Sequence, residues 1–368
     1  MTNLSEQEHN RYMRHLMLKE IGEKGQKKLK SARVVVVGAG GLGCPILMYL
    51  AAAGVGTIGI VDDDVVDESN LQRQILYSSQ DVGKSKVEIA AQKILDMNPH
   101  IQVNKYKTRL NQQNYHQILT NYNIVVDGSD NFPTRYLVND ACVFLDKTLI
   151  YGSIFRFEGQ VSVFCNSSQS PCYRCLYPEI PGKGAIPDCS QAGVIGVLPG
   201  IIAMFQATET LKYILQLGDS LSGKLLCFHA LDMDMRKINI KKDVNCPACA
   251  LRTIDINNYS YQTKKTIHDI SCDGLFEELE KKNIKLVDVR QESEYQKQHI
   301  ENSVLLPLSS IETNMPNWDK QQQLILYCYS GTRSQKALEI FREHGFYNVR
   351  SLEGGIVAWN KYIANKRN

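Results

Sequence analysis

Cysteine is the residue type whose spacing first suggests chemistry in this 368-residue chain. Of its eleven cysteines, four form two Cys-x-x-Cys pairs, Cys172 with Cys175 and Cys246 with Cys249. The polar start Met1-Thr2-Asn3-Leu4-Ser5 has no signal-peptide core, so a reducing, cytoplasmic setting is expected and metal chemistry is favoured over disulfides. Two such pairs supply four thiolates for a tetrahedral Zn2+ site with no open position, a clip pinning the end of one domain to its middle. Two other cysteines stand apart. Cys189 lies in a glycine- and proline-containing stretch, 183–196. A single cysteine is ordinarily a small buried hydrophobe, but such a loop suits a thiol that must reach a substrate held elsewhere. Cys328 follows the apolar run Leu324-Ile325-Leu326-Tyr327 and leads through Gly331 and Arg333 into a helix. Backbone N–H groups at a helix start favour the nucleophilic thiolate form, which marks Cys328 as a nucleophile.

A second chemistry is written in glycines and carboxylates. Arg33-Val34-Val35-Val36-Val37 reads as a strand buried on both faces, and Gly38, Gly40 and Gly43 turn it tightly into a helix. Helix-start N–H groups there face an anion, and the missing Cβ atoms let phosphate or ribose approach. A second strand over 57–61 ends at Asp62, placed to accept from ribose hydroxyls. By itself this pattern most often belongs to a dinucleotide dehydrogenase. The loop that follows runs from Asp62-Asp63-Asp64 through Ser69-Asn70-Leu71-Gln72-Arg73 to Lys86. It is either a solvated charged loop or the surroundings of a triphosphate, where Arg73 and Lys86 neutralise charge on departing pyrophosphate and a carboxylate holds Mg2+. A strand over 124–126 leads to Asp127-Gly128-Ser129-Asp130-Asn131 on the same carboxyl rim, making Asp130 the preferred magnesium ligand, with a helix N-cap as its plain structural alternative.

The elements that must position these groups are α/β throughout. Length predicts two cores. The first, 1–252, opens with a Ser5-x-x-Glu8 capping box at the start of a helix and reads as a Rossmann-like, mostly parallel sheet, with further strands at 101–103 and 224–228, a helix near 112–119, and an antiparallel extension that begins near the alternating strand 158–164. Residues 253–266 read as a linker, and 267–368 as a smaller α/β domain with strands at 285–290, 304–308 and 324–327. A net charge of +3 argues against nucleic-acid coating or membrane-surface binding, and no apolar run reaches transmembrane length.

Taken together and in order, Arg11-Tyr12, Arg14, Gly38 to Gly43, Ser69 to Arg73, Lys86, Asp130-Asn131, Pro171 to Cys175, the Cys189 loop and Cys246 to Cys249 resemble the MoeB/ThiF family of adenylyltransferases, relatives of the ubiquitin-activating enzymes. The resemblance implies ATP held by Gly41, Asp62, Asn70, Arg73 and Lys86, magnesium on Asp130, and Arg14 delivered from the other subunit of a homodimer. It also implies a substrate, the C-terminal Gly-Gly carboxylate of a small ubiquitin-like sulfur carrier. The last third resembles a rhodanese domain on Asp288-Val289-Arg290, Glu294-Tyr295, His299-Ile300, Asn302, Cys328 to Ser334, Glu353-Gly354-Gly355-Ile356 and Trp359. Four residues separate Cys328 from Arg333, where the related phosphatase loop has five; the shorter cradle suits a sulfane sulfur.

These readings predict that ATP activates the carrier's carboxylate as an acyl-adenylate. A Cys328 persulfide, charged by a cysteine desulfurase or by thiosulfate, then attacks it. The acyl disulfide so formed needs a second thiol, and Cys189 is the candidate, with a direct thioester as its rival role. The carrier would serve molybdopterin, thiamine or tRNA-thiolation metabolism. An activating enzyme for protein conjugation would share the ATP site without needing Cys328. A dehydrogenase would leave Arg73, Asp130 and the appended domain without a role.

Overall fold

The computed structural model describes residues 3–165, 167–181, 193–256, 269–281 and 284–366, which divide into two compact units, one on each side of 257–268. Among the described residues no helix is long and apolar enough to cross a membrane.

The first unit is built on eight strands: β1 (Arg33–Val37), β2 (Thr57–Val61), β3 (Gln102–Tyr106), β4 (Ile124–Asp127), β5 (Thr148–Phe155), β6 (Glu158–Phe164), β7 (Lys224–His229) and β8 (Asp234–Asn239). Their order is β3-β2-β1-β4-β5-β6-β7-β8. Pairing is parallel from β3 to β5 and antiparallel from β5 to β8, as the alternation in 158–164 predicts. Val34 to Val37 are at most 2% exposed, since β1 has a strand on either side and a helix on its face. Val34 and Val36 share a core with Ile46, Leu47 and Leu50 of the helix Gly43–Ala52 and with Ile202 and Ala203 of the helix Val197–Leu215. Burying each such side chain stabilises the unit by roughly 1.5–3 kcal/mol. The expected capping box at Ser5 and Glu8 is present and opens the helix Glu6–Arg11.

The second unit has a five-stranded sheet of β9 (Asp269–Ile270), β10 (Lys285–Asp288), β11 (Val304–Leu305), β12 (Leu324–Tyr327) and β13 (Val349–Leu352), in the order β11-β10-β12-β13-β9. Every pairing is parallel, so the carboxyl ends lie on one rim. The central strand β12 alternates between two cores: Leu324, Leu326 and Cys328 face Ala337, Leu338 and Phe341, while Ile325 and Tyr327 face Leu275, Ile356 and Trp359.

Four strands, β5, β8, β9 and β13, lie outside the sequence expectation, and the strands expected over 285–290 and 304–308 stop at Asp288 and Leu305. The helix expected near 112–119 begins only at Tyr115, because the Asn111 and Asn114 side chains accept from each other's backbone N–H and form a turn first.

Candidate functional site

At the carboxyl ends of β1, β2 and β4 the first unit opens a cleft of about 240 Å³. Gly38, Gly40, Gly41, Asp62, Arg73, Lys86, Asp130 and Asn131 all line it. Gly38 has φ +95°, and a Cβ there would stand 2.8 Å from Gly128 O; a Cβ on Gly43 would stand 1.9 Å from Gly38 O. These two glycines therefore let the loops after β1 and β4 and the start of the following helix pack onto one another.

Asp62 is tied into this turn. Its Oδ2 accepts from Ala39 N at 2.7 Å and its Oδ1 from Asp64 N at 2.8 Å. Burial is the largest influence on its carboxyl and raises its pKa despite those bonds. Lys86 is buried at the head of the helix Lys86–Met97, and its Nζ donates to Asp64 Oδ2 at 3.0 Å. Arg73 Nη1 donates to Ser69 O at 3.1 Å, and Asp67 holds the turn by accepting from both Ser69 N and Ser69 Oγ. Asn70 sits in that turn, Leu71 packs on the core and Gln72 lies against Gly196, so Ser69 to Gln72 shape the wall rather than line it.

The helix Phe132–Phe144 is capped by Asn131, whose Oδ1 accepts from Thr134 N at 2.9 Å. The capping alternative considered for Asp130 is thereby corrected: its neighbour fills the role, and Asp130 stands exposed on the rim of the cleft. Arg14 is exposed on the short helix Met13–Leu16 and does not line the cleft of its own chain.

Sequence reasoning passed over Gln74, Arg109 and Arg135, which also line the cleft. Arg135 lies near the Phe132 and Tyr151 rings, and its Nε is 3.9 Å from Asp127 Oδ2; among the described residues neither atom has a hydrogen-bond partner. Gln74 Oε1 is likewise buried and unpartnered. The available signal was helical spacing, because Arg135 follows Asn131 by one turn.

The four cysteines of the two pairs come together, with all Sγ atoms within 4.8 Å of one another. Sulfur–sulfur distances are 4.0 Å for Cys172–Cys175, 3.6 Å for Cys172–Cys246 and 3.4 Å for Cys175–Cys249. A tetrahedral Zn–S4 centre with bonds of about 2.3 Å requires sulfurs about 3.8 Å apart, so the set fits zinc. Arg174, inside the first pair, forks onto buried Asp140 with contacts of 2.8 Å from Nε and Nη2, and Asn139 Oδ1 accepts from Tyr173 N at 2.7 Å. These bonds fix the knuckle to the helix Phe132–Phe144. Cys189 lies outside the described residues.

In the second unit Cys328 directly follows β12 and is buried; Gly331 N donates to its Sγ at 3.2 Å. Gly331 has φ +101°, which lets the loop curl back over the sulfur before the helix Thr332–Glu343. Arg333 is held in a two-pronged ion pair with Glu294, at 2.6 and 2.7 Å, and Arg290 in another with Asp288. The bond from Arg333 is the largest influence on the Glu294 carboxyl and lowers its pKa.

Fold and sites thus define a nucleotide-binding α/β unit followed by a single-thiol α/β unit on one chain. The ThiF family model matches residues 12–248 and the rhodanese-like domain model residues 271–362; the chain belongs to the ThiF family and carries a C-terminal rhodanese-like domain. It is 42% identical over 379 residues, covering 98% of this chain and 95% of the relative, to the probable adenylyltransferase/sulfurtransferase MoeZ of Mycobacterium tuberculosis. It is 48% identical over 249 residues, covering 67% of this chain and 92% of the relative, to the sulfur carrier protein adenylyltransferase of Thermus thermophilus. A crystal structure of E. coli MccB with AMPCPP and MccA matches with a TM-score of 0.59 at 25% identity, over 67% of this chain and 75% of that one.

Proposed function

We propose that this chain uses ATP to adenylate the C-terminal Gly-Gly carboxylate of a small ubiquitin-like sulfur carrier and then converts it to a thiocarboxylate with sulfur carried on Cys328. The observation that carries the reading is the presence on one chain of the glycine-turn cleft, with Arg73, Lys86 and Asp130 in it, and the Cys328 loop. The names of the relatives support both halves.

A carboxylate is a poor acyl donor, because oxide would have to leave. Attack by its oxygen on the α-phosphate of ATP forms the acyl-adenylate and expels pyrophosphate. Charge then develops on phosphate oxygens, where Arg73 and Lys86 act, while the Gly38–Gly43 turn and Asp62 orient the nucleotide. Asp130 would hold Mg2+, which supplies further neutralisation of phosphate charge, with Asn131 fixing the loop beside it. Zn2+ on Cys172, Cys175, Cys246 and Cys249 would be structural. The chain would act as a homodimer, with Arg14 reaching the partner's cleft; exposed Met13, Met17 and Leu18 beside it give an apolar surface suited to that contact. In the second unit the Cys328 persulfide attacks the acyl-adenylate and displaces AMP, giving an acyl disulfide on Cys328; a second thiol, for which Cys189 is our candidate, attacks the Cys328 sulfur, so that the thiocarboxylate leaves and a disulfide forms that an external thiol reduces.

The test follows the carrier's C-terminus by mass. With Cys328→Ala the AMP-linked carrier should still form and the gain of sulfur for oxygen should vanish; a variant that transfers sulfur at the original rate would refute the assignment. With Cys189→Ala, pyrophosphate exchange should persist while thiocarboxylate release falls.

A further inference from the structure

Behind the Cys328 loop two serines lie wholly inside the second unit. Ser334, in the first turn of the helix Thr332–Glu343, and Ser351, on β13, are both 0% exposed. Ser351 Oγ donates to Ser334 Oγ at 2.8 Å. Ser334 Oγ is 2.9 Å from Gly331 O and 3.7 Å from Cys328 Sγ. A serine has one hydroxyl proton, and one lone pair of Ser334 is already filled by Ser351, so that proton has two destinations, the carbonyl or the sulfur. Beside a neutral thiol the shorter contact to the carbonyl prevails. Beside a thiolate the charge-assisted bond is stronger, and one torsional rotation delivers it. Among the described residues the donors placed on this sulfur are the Gly331 N–H and the Ser334 hydroxyl.

We propose that Ser334 is a catalytic residue of the sulfur-transfer half, donating its hydroxyl to Cys328 Sγ whenever that atom is anionic, and that Ser351 is the positioning residue that holds Ser334 for it. This rests on the reading of Cys328 as the sulfur-bearing thiol. The step served is loading. Cys328 thiolate attacks the terminal sulfur of a donor persulfide, a new Sγ–S bond forms, and the donor's S–S bond breaks with its electron pair leaving on the donor thiolate. The number of thiolates is unchanged, and no oxidant enters. The attacking thiolate is the species that Ser334 keeps populated inside an otherwise apolar core of Leu326, Ala337 and Phe341.

Among the described residues the charged and titratable groups near the loop include Asp288 at the end of β10 and Arg290 after it, Glu294 on the helix Glu292–Lys297, Tyr327 on β12, Arg333 and Glu353; Lys336, Glu339, Arg342 and Glu343 lie further along the helix Thr332–Glu343, and Arg350, beside Ser351 on β13, pairs with Glu278. Asp288 is paired with Arg290 and Glu294 with Arg333, and the Tyr327 hydroxyl meets Ser303 and Ile300 N. Serine-to-alanine exchange disturbs none of these pairs.

The experiment measures iodoacetamide alkylation of Cys328 in the full-length chain against pH, with the Cys328 peptide quantified by mass spectrometry. Ser334→Ala should slow alkylation at neutral pH about tenfold and move the midpoint of the curve up by about one pH unit. Ser334→Thr should retain the original midpoint, and Ser351→Ala should move it the same way by about threefold in rate. An unmoved midpoint in Ser334→Ala, or a loss equal at every pH, overturns the proposal. If Ser334→Ala does not fold, Ser351→Ala decides by the same criterion. Should Cys328→Ala still make thiocarboxylate, the reading of Cys328 itself fails, whatever the serine variants show.

Discussion

The cleft of the first unit and the Cys328 loop of the second both sit on the carboxyl rim of a parallel sheet, yet they treat their charges in opposite ways. In the cleft Asp130 stands exposed, and Arg135 Nε, Asp127 Oδ2 and Gln74 Oε1 have no hydrogen-bond partner. In the loop Arg333 is engaged by Glu294, Arg290 by Asp288, and the sulfur by Gly331 N. Buried polar groups without partners are destabilising by about 1–3 kcal/mol each, and persist where a ligand completes them. A cleft that has to take up a ligand leaves polar atoms of both kinds open, one donor on Arg135 and two acceptors on Asp127 and Gln74. A site that works with one sulfur atom uses its charges to hold its own backbone.

The largest expected effect tests the open side. Lys86→Ala removes the buried cation of the cleft and should lower carrier-dependent pyrophosphate exchange by about 10²–10³-fold, while persulfide loading on Cys328 stays at its original rate. A parallel fall in loading would break the comparison. The same variant sharpens the homodimer reading when mixed with Arg14→Ala chains. Hybrid dimers carry one cleft with both native groups, so exchange should recover to a substantial fraction of the original, and no recovery would place Arg14 outside the partner's cleft.

The next effect falls on the closed side. Gly355 has φ +59°, and a Cβ there would stand 2.4 Å from Cys328 O and 2.6 Å from Tyr329 O. Gly355→Ala should destabilise the second unit by about 2–4 kcal/mol and expose Cys328, with pyrophosphate exchange unaffected. Thiol accessibility and thermal unfolding read both consequences. A fully stable variant would show that the loop is less tightly held than its contacts indicate.

Legibility in the sequence followed the same division. The glycine turn, Asp62 and Asp130 were readable because each sits at or just past the end of a strand marked by Val and Ile, and strand ends in an open parallel sheet share a rim, whereas Lys86 was readable as the cation at the head of the helix that follows the acidic loop. Arg135 and Gln74 were not, because their roles depend on which helix face or loop side turns inward, and a single Arg or Gln in a polar stretch carries no such mark. The four cysteines were legible from spacing alone, although contacting members stand 74 positions apart. Asp140 and Arg174, which hold the knuckle, pair across 34 residues of sequence and gave no local sign. Strand β8 was missed since five of its six residues are exposed, leaving no apolar alternation to read. Strands β9 and β13 are short and take their burial from neighbours. Ser334 and Ser351 looked like ordinary polar residues, and only the packing of the helix Thr332–Glu343 against β13 brings them together.

The smallest expected effect concerns the Glu294–Arg333 pair and decides what a closed loop means. Both side chains are about one-third exposed, at 33% and 32%, so screening limits the pair to about 0.5–1 kcal/mol. The Glu294 carboxyl is lowered from its ordinary 4.5, chiefly by the Arg333 bond. Its stabilisation is therefore present above the ordinary carboxylate range and is lost as pH falls through the depressed value. Glu294→Gln should destabilise the second unit slightly at neutral pH, and its stability should converge with that of the native chain once pH falls below the depressed value of Glu294. The informative readout is donor choice. With Arg333 freed, a dianionic donor such as thiosulfate meets an open guanidinium beside Cys328, whereas a neutral alkyl persulfide does not depend on it. A rise in thiosulfate turnover in Glu294→Gln, with persulfide turnover unchanged, would mean that the carboxylate screens the loop against anionic donors. No change in either would mean that the pair only holds the helix Glu292–Lys297 to the loop, and the contrast with the cleft would rest on architecture alone.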